Sequence, residues 1–186
     1  MGASGWDRVL GFALLVAALA HDGVALREGR AADCCWVCNV SALVLALGWV
    51  TRRPQLCAAG GIWLLPGTIV WLSDVWLANS NIIPTSYAVH LGGSALALLA
   101  PRRIGSAPKG WLWALGLLGF CVVFSRFFLS AAANVNAAHH IPKGWELLGS
   151  TRLQFVISAT ALSLVSALLL GFGLERLGRS SGSSQP

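Results

Sequence analysis

Charge is what this chain has least of. Only 11% of its 186 residues are Asp, Glu, Lys or Arg, and just seven of those are acidic. Soluble domains carry about a quarter, so the polar surface is too small to wrap a water-soluble globule of this size. Strict apolar/polar alternation is also missing, which argues against strands, and an open sheet edge cannot face lipid. The basic residues form short clusters between apolar runs, not one continuous patch, which speaks against nucleic acid as a partner. No H-E-x-x-H or H-x-x-x-H spacing occurs among the four histidines.

What is present is apolar length. Hydrophobic residues make up 56% of the chain and mean hydropathy is +0.70. Six apolar segments can be traced, at about Trp6 to Leu26, Cys34 to Val50, Leu56 to Ala78, Pro84 to Ala100, Trp111 to Ala133 and Leu153 to Gly173. At 1.5 Å per residue each approaches the ~30 Å of a hydrocarbon core, the second and fourth being short. The expected fold is an all-α bundle of about six transmembrane helices with short links. It is a single domain over residues 1–179, followed by a disordered Ser/Gly-rich tail over 180–186. Nine tryptophans suit interfacial belts.

Orientation follows from Lys and Arg. Arg8, Arg52, Arg53, Arg102, Arg103, Lys109, Arg176 and Arg179 fall on one side, twice as many as Arg27, Arg30, Lys143 and Arg152 on the other. The more basic side is the cytoplasmic one, so both termini are expected there, in a bacterial inner membrane. Val9 to Ala20 also reads as a signal-peptide core, with Ala18-Leu19-Ala20 as its cleavage site, although Asp7 weakens the basic region before it.

In this orientation the polar residues gather toward the outward half. His21, Asp22, Asp33, Asn39, Asp74, His90, Arg126, Asn134, Asn136, His139 and His140 all fall there. Ionisable groups within apolar spans are costly and usually face a partner or a cavity. The expected site is one pocket lined by Asp33, Cys38, Asn39, Asn134 and Asn136. In it Asp74 and His90 serve as acid/base or ligands, and Arg126 holds an anionic group. A divalent metal on His90, Asp74 and Asp33 is one candidate cofactor, activating water for attack on a lipid ester, amide or phosphate. Structural alternatives stand beside each role: Asp33 as a helix N-cap, Asn39 as an interhelical bridge, and Asp74–Arg126 as an ion pair. Pro66 is expected to kink the third helix, and Gly92-Gly93 to let helices cross closely.

Cys35-Trp36-Val37-Cys38 is a C-x-x-C at a helix start, where thiol pKa falls and redox chemistry is favoured. Membrane disulfide oxidases look similar here, but they need a second outward cysteine pair, which this chain lacks. Taken together, the motifs resemble an uncharacterised family of bacterial multi-pass membrane proteins. The series is D-x-x-W-x-C-N at Asp33, Trp36, Cys38 and Asn39, then L-L-P at Leu64 to Pro66 with W-x-x-D at Trp71 and Asp74. T-x-Y and a histidine follow at Thr85, Tyr87 and His90, then N-x-N at Asn134 and Asn136. The resemblance implies a six-helix membrane fold with an outward polar site and supplies no reaction. Three function classes follow: a lipid-directed enzyme or binder, a thiol oxidoreductase using Cys35 and Cys38, and a non-catalytic subunit of a larger membrane complex. Membrane lipids and other membrane subunits are the expected partners.

Overall fold

The structure is a computed structural model that describes residues 3–78 and 83–179. Among the described residues there are six helices and no strand. They are α1 (Ala3–Arg27), α2 (Val37–Thr51), α3 (Pro54–Ala78), α4 (85–103), α5 (Gly110–Phe128) and α6 (Arg152–Arg179). Within α4 the stretch Ala88–Gly92 is a π-turn between α-helical Thr85–Tyr87 and Gly93–Arg103. Three short 3-10 turns decorate the connections, at Ala31–Cys35, Val135–Ala137 and Glu146–Leu148.

Four helices are long and apolar enough to cross a membrane, with spans Gly5–Arg27, Pro54–Trp76, Gly110–Phe128 and Arg152–Arg179. They make this a candidate membrane protein. The central helices are the short α2 and the long α3. Helix α2 packs against both α1 and α3, and α3 in turn meets α4 and α5. Leu45, Ala46 and Trp49 of α2 are fully buried, as are Ile62 and Leu64 of α3. One core cluster joins α1, α2, α3 and α4 around Leu14, Leu45, Trp49, Leu64 and Val89. A second joins α3, α5 and α6 around Ile62, Trp63, Ala114 and Ala167.

Small residues set the spacing, because between apolar helices in lipid the attraction is van der Waals contact and needs close backbones. A Cβ on Gly60 would stand 2.4 Å from the Ser41 carbonyl oxygen, and one on Gly48 would stand 2.7 Å from the Cys57 nitrogen. The α3–α5 contact has a polar pin, the Trp63 Nε1 donating to the Ala114 carbonyl at 2.5 Å.

One end of the bundle carries a buried ion group. Asp7 is 2% exposed, with Arg52 Nη1 at 2.5 Å and Arg103 Nη2 at 2.9 Å. This joins the first turns of α1 to the ends of α2 and α4. The residues read as a signal-peptide core and cleavage site lie within the unbroken α1, where Leu14 and Ala18 are core residues.

Several sequence expectations shift. The fifth helix ends at Phe128, not Ala133, and the connection that follows, 129–151, is long. Of the glycine pair only Gly93 makes a close crossing, its Cβ position lying 2.5 Å from Leu64 Cδ2. Gly92 has nothing within 4 Å. The expected disordered tail, 180–186, lies outside the described residues.

Candidate functional site

The helix ends opposite Asp7 bear the polar residues, and these form two groups on different helices instead of one pocket. The first is a clasp around the start of α2. A helix N-terminus leaves backbone N–H groups without intrahelical acceptors. Asp33 was the expected cap, yet the residue at that position is Trp36, which contributes no side-chain bond. Asp33 sits one turn earlier, in Ala31–Cys35, where its carboxylate takes Arg30 Nη1 at 2.5 Å. The cap comes instead from far along the chain: Asn136 Oδ1 accepts the Val37 N–H at 2.8 Å. Asn136 Nδ2 donates to the Cys35 carbonyl at 2.9 Å and the Ser125 hydroxyl at 3.0 Å. Asn39 closes the same turn from within α2, donating to the Asp33 carbonyl at 2.8 Å.

Asn134 organises the loop that delivers Asn136. Its Oδ1 accepts the His139 and His140 N–H groups at 2.9 and 3.0 Å, while Nδ2 donates to the His140 carbonyl at 3.0 Å. Both asparagines have left-handed backbones, φ 43° and 54°, a region Asn tolerates better than other residues bearing a Cβ. The N-x-N motif is therefore a conformational and hydrogen-bonding device. Arg126, in the last turn of α5, donates from Nη1 to His139 Nδ1 at 2.8 Å. The same imidazole donates from Nε2 to the Ser125 carbonyl at 3.1 Å. Arg126 thus ties the loop to α5, while its guanidinium stays exposed.

The second group lies between α1, α3 and α4. His90 is 3% exposed, at the middle of the π-turn, and its ring stacks on Trp71 at 4.7 Å between centroids and 9° between planes. Tyr87 meets the same indole edge-on at 5.2 Å. His90 Nδ1 lies 3.1 Å from the Ser86 carbonyl oxygen. A carbonyl only accepts, so Nδ1 carries the proton, and Nε2 is left buried with no hydrogen-bond partner. Ser86 also reaches the other buried histidine: its hydroxyl is 3.5 Å from His21 Nδ1, which is 3.1 Å from the Thr85 hydroxyl. Beneath, the Thr68 hydroxyl lies 3.1 Å from the His90 carbonyl and 2.8 Å from the Ser94 hydroxyl. π-turns widen a helix locally and recur at functional positions.

The predicted metal set does not assemble. Among the described residues no three His, Cys, Asp or Glu side chains come together in a way that could hold a metal. Asp33 is held by Arg30 before α2, Asp74 lies on the exposed side of α3, and His90 is buried against Trp71. The cysteines also depart from expectation. All five are free thiols. At the turn before α2, burial and the neighbouring Asp22 carboxylate push the Cys34 thiol up to about 11, and the same two causes raise Cys35. The pull of a helix N-terminus is thus outweighed at Cys35. Cys38 lies within α2, its thiol 3.9 Å from Asn39 Oδ1.

Sequence reading singled out His90 and His21 but not Ser86, which reaches both, or Thr68, which bonds the His90 carbonyl and the Ser94 hydroxyl. The signal available was a run of hydroxyl residues inside apolar segments. No family model, curated protein or solved structure matches this chain.

Proposed function

We propose that this chain is a six-helix integral membrane protein of the bacterial inner membrane, with both termini cytoplasmic. In this reading it binds the polar part of a lipid or other amphipathic molecule beside His90, on the outward side. The four long apolar helices and the Lys/Arg asymmetry support the topology. One observation carries the binding: a buried imidazole nitrogen with no partner. An unsatisfied buried polar atom costs about 1–3 kcal/mol. That cost is recovered when a ligand supplies the missing bond.

Asp33, Cys38, Asn39, Asn134, Asn136 and Arg126 belong on this reading to the scaffold, because each is engaged with a neighbour in the clasp. The thiol oxidoreductase reading gains no support from raised Cys34 and Cys35. A non-catalytic subunit is the second reading, favoured by the peripheral α6, in which only Phe155, Ala167 and Leu174 are buried. Native mass spectrometry of the full chain released from its own membranes separates the two. Binding predicts a small co-purifying molecule that is lost in His90→Ala and kept in Arg126→Ala. Co-purifying proteins with no bound small molecule would favour the subunit and sink the binding reading.

A further inference from the structure

We infer that the group held at His90 is an uncharged hydrogen-bond donor, the hydroxyl of a neutral lipid; this rests on the binding reading above. Three observations lead there. The first is the ring's tautomer. With Nδ1–H committed to the Ser86 carbonyl, Nε2 of the neutral ring offers only a lone pair, so its complement is a donor. A charged ring would be 3% exposed with no carboxylate bonded to it, an arrangement that apolar surroundings penalise heavily. The second is the placement of cations. An anionic headgroup needs one, and the contacts of the His90 ring come from the Ser86 carbonyl and the Trp71 indole, with no Lys or Arg side chain among them. The third is depth. His90 lies six residues inside its helix from Pro84, about 9 Å at 1.5 Å per residue. A neutral hydroxyl can descend that far below the headgroups at far smaller cost than a phosphate. The flat Trp71 face fixes the ring plane, so the direction of the lone pair is set before the ligand arrives. No three His, Cys, Asp or Glu side chains gather around it among the described residues, and on this reading the ring has the role of acceptor instead of metal ligand.

The test uses the full chain in lipid nanodiscs doped separately with diacylglycerol, triacylglycerol or phosphatidic acid. Affinity is read by native mass spectrometry, and His90 Nε2 by nitrogen NMR of histidine-labelled protein. Diacylglycerol is expected to bind saturably and to shift Nε2. Triacylglycerol, in which a third acyl chain replaces the hydroxyl hydrogen, is expected to bind at least about fivefold more weakly, the worth of one neutral hydrogen bond. His90→Ala should erase that preference; if this variant does not fold, the wild-type comparison of the three lipids decides alone. Equal or tighter binding of phosphatidic acid, or a shift of Nε2 without diacylglycerol selectivity, overturns the donor inference while leaving a ligand site at His90. No binding of any lipid and an unmoved Nε2 overturn both it and the binding reading.

Discussion

Replacing Asn136 by alanine should unlatch the 129–151 connection from the start of α2. The side chain makes three bonds of 2.8–3.0 Å, to Val37, Cys35 and Ser125. Neutral hydrogen bonds contribute about 1 kcal/mol each, and the half-buried setting lets water replace part of that. Alanine must also hold the left-handed backbone at φ 54°, which costs it about 1 kcal/mol. Together these give a loss of about 2–4 kcal/mol. Glycine at the same position loses the same bonds without the backbone penalty, so Asn136→Gly should be about 1 kcal/mol less damaging than Asn136→Ala. Aspartate keeps the acceptor for Val37 and loses the donors, and should fall between alanine and wild type. Reversible unfolding in mixed micelles reads all three differences. An alanine variant within about 0.5 kcal/mol of wild type, or an alanine–glycine difference of zero, would refute the clasp.

At the opposite end, Asp7→Asn removes the charge that Arg52 and Arg103 share. Since both arginines retain access to water, the loss should be about 2–3 kcal/mol, below the 3–5 typical of a fully buried pair, measurable as a fall in thermal midpoint. Gly60→Ala would drive a methyl into the α2 backbone at Ser41 and Leu45 and should destabilise by about 1–3 kcal/mol. Gly119→Ala, which meets nothing within 4 Å, should be neutral in the same unfolding assay. The raised Cys34 thiol, at about 11, is protonated at neutral pH and becomes thiolate only as pH rises toward that value. Its alkylation rate, followed by mass spectrometry, should therefore climb about tenfold per pH unit from 8 to 10; a plateau by pH 8 would contradict the burial.

The helices were legible because an apolar run of span length permits little else. The limits of α1, α3 and α4 moved by three residues or fewer from those read off the sequence. Which residues would matter was also partly legible: Asn136 and His90 stand out as polar groups in apolar surroundings. What they do was not. A cap delivered to Val37 from 99 positions away leaves no local trace, and Asp33, a good cap by residue type, was displaced by a 3-10 turn before the helix. Expecting one pocket came from depth alone, since residues at the same level on different helices look adjacent in sequence. Azimuth separates them: Asn136 faces α2 and α5, while His90 faces α1 and α3. Asp7 passed as a weak point in a basic leader because its partners, Arg52 and Arg103, come from other helices.

The central claim is that His90 Nε2 faces a ligand and no group of its own chain. An experimental structure of the full protein, extracted with its surrounding membrane into native nanodiscs, measures this directly. Density from a non-protein molecule within hydrogen-bond distance of Nε2, beside the flat face of Trp71, is the predicted result. A donor from this same chain closing onto Nε2, with no room left for another molecule, would contradict it.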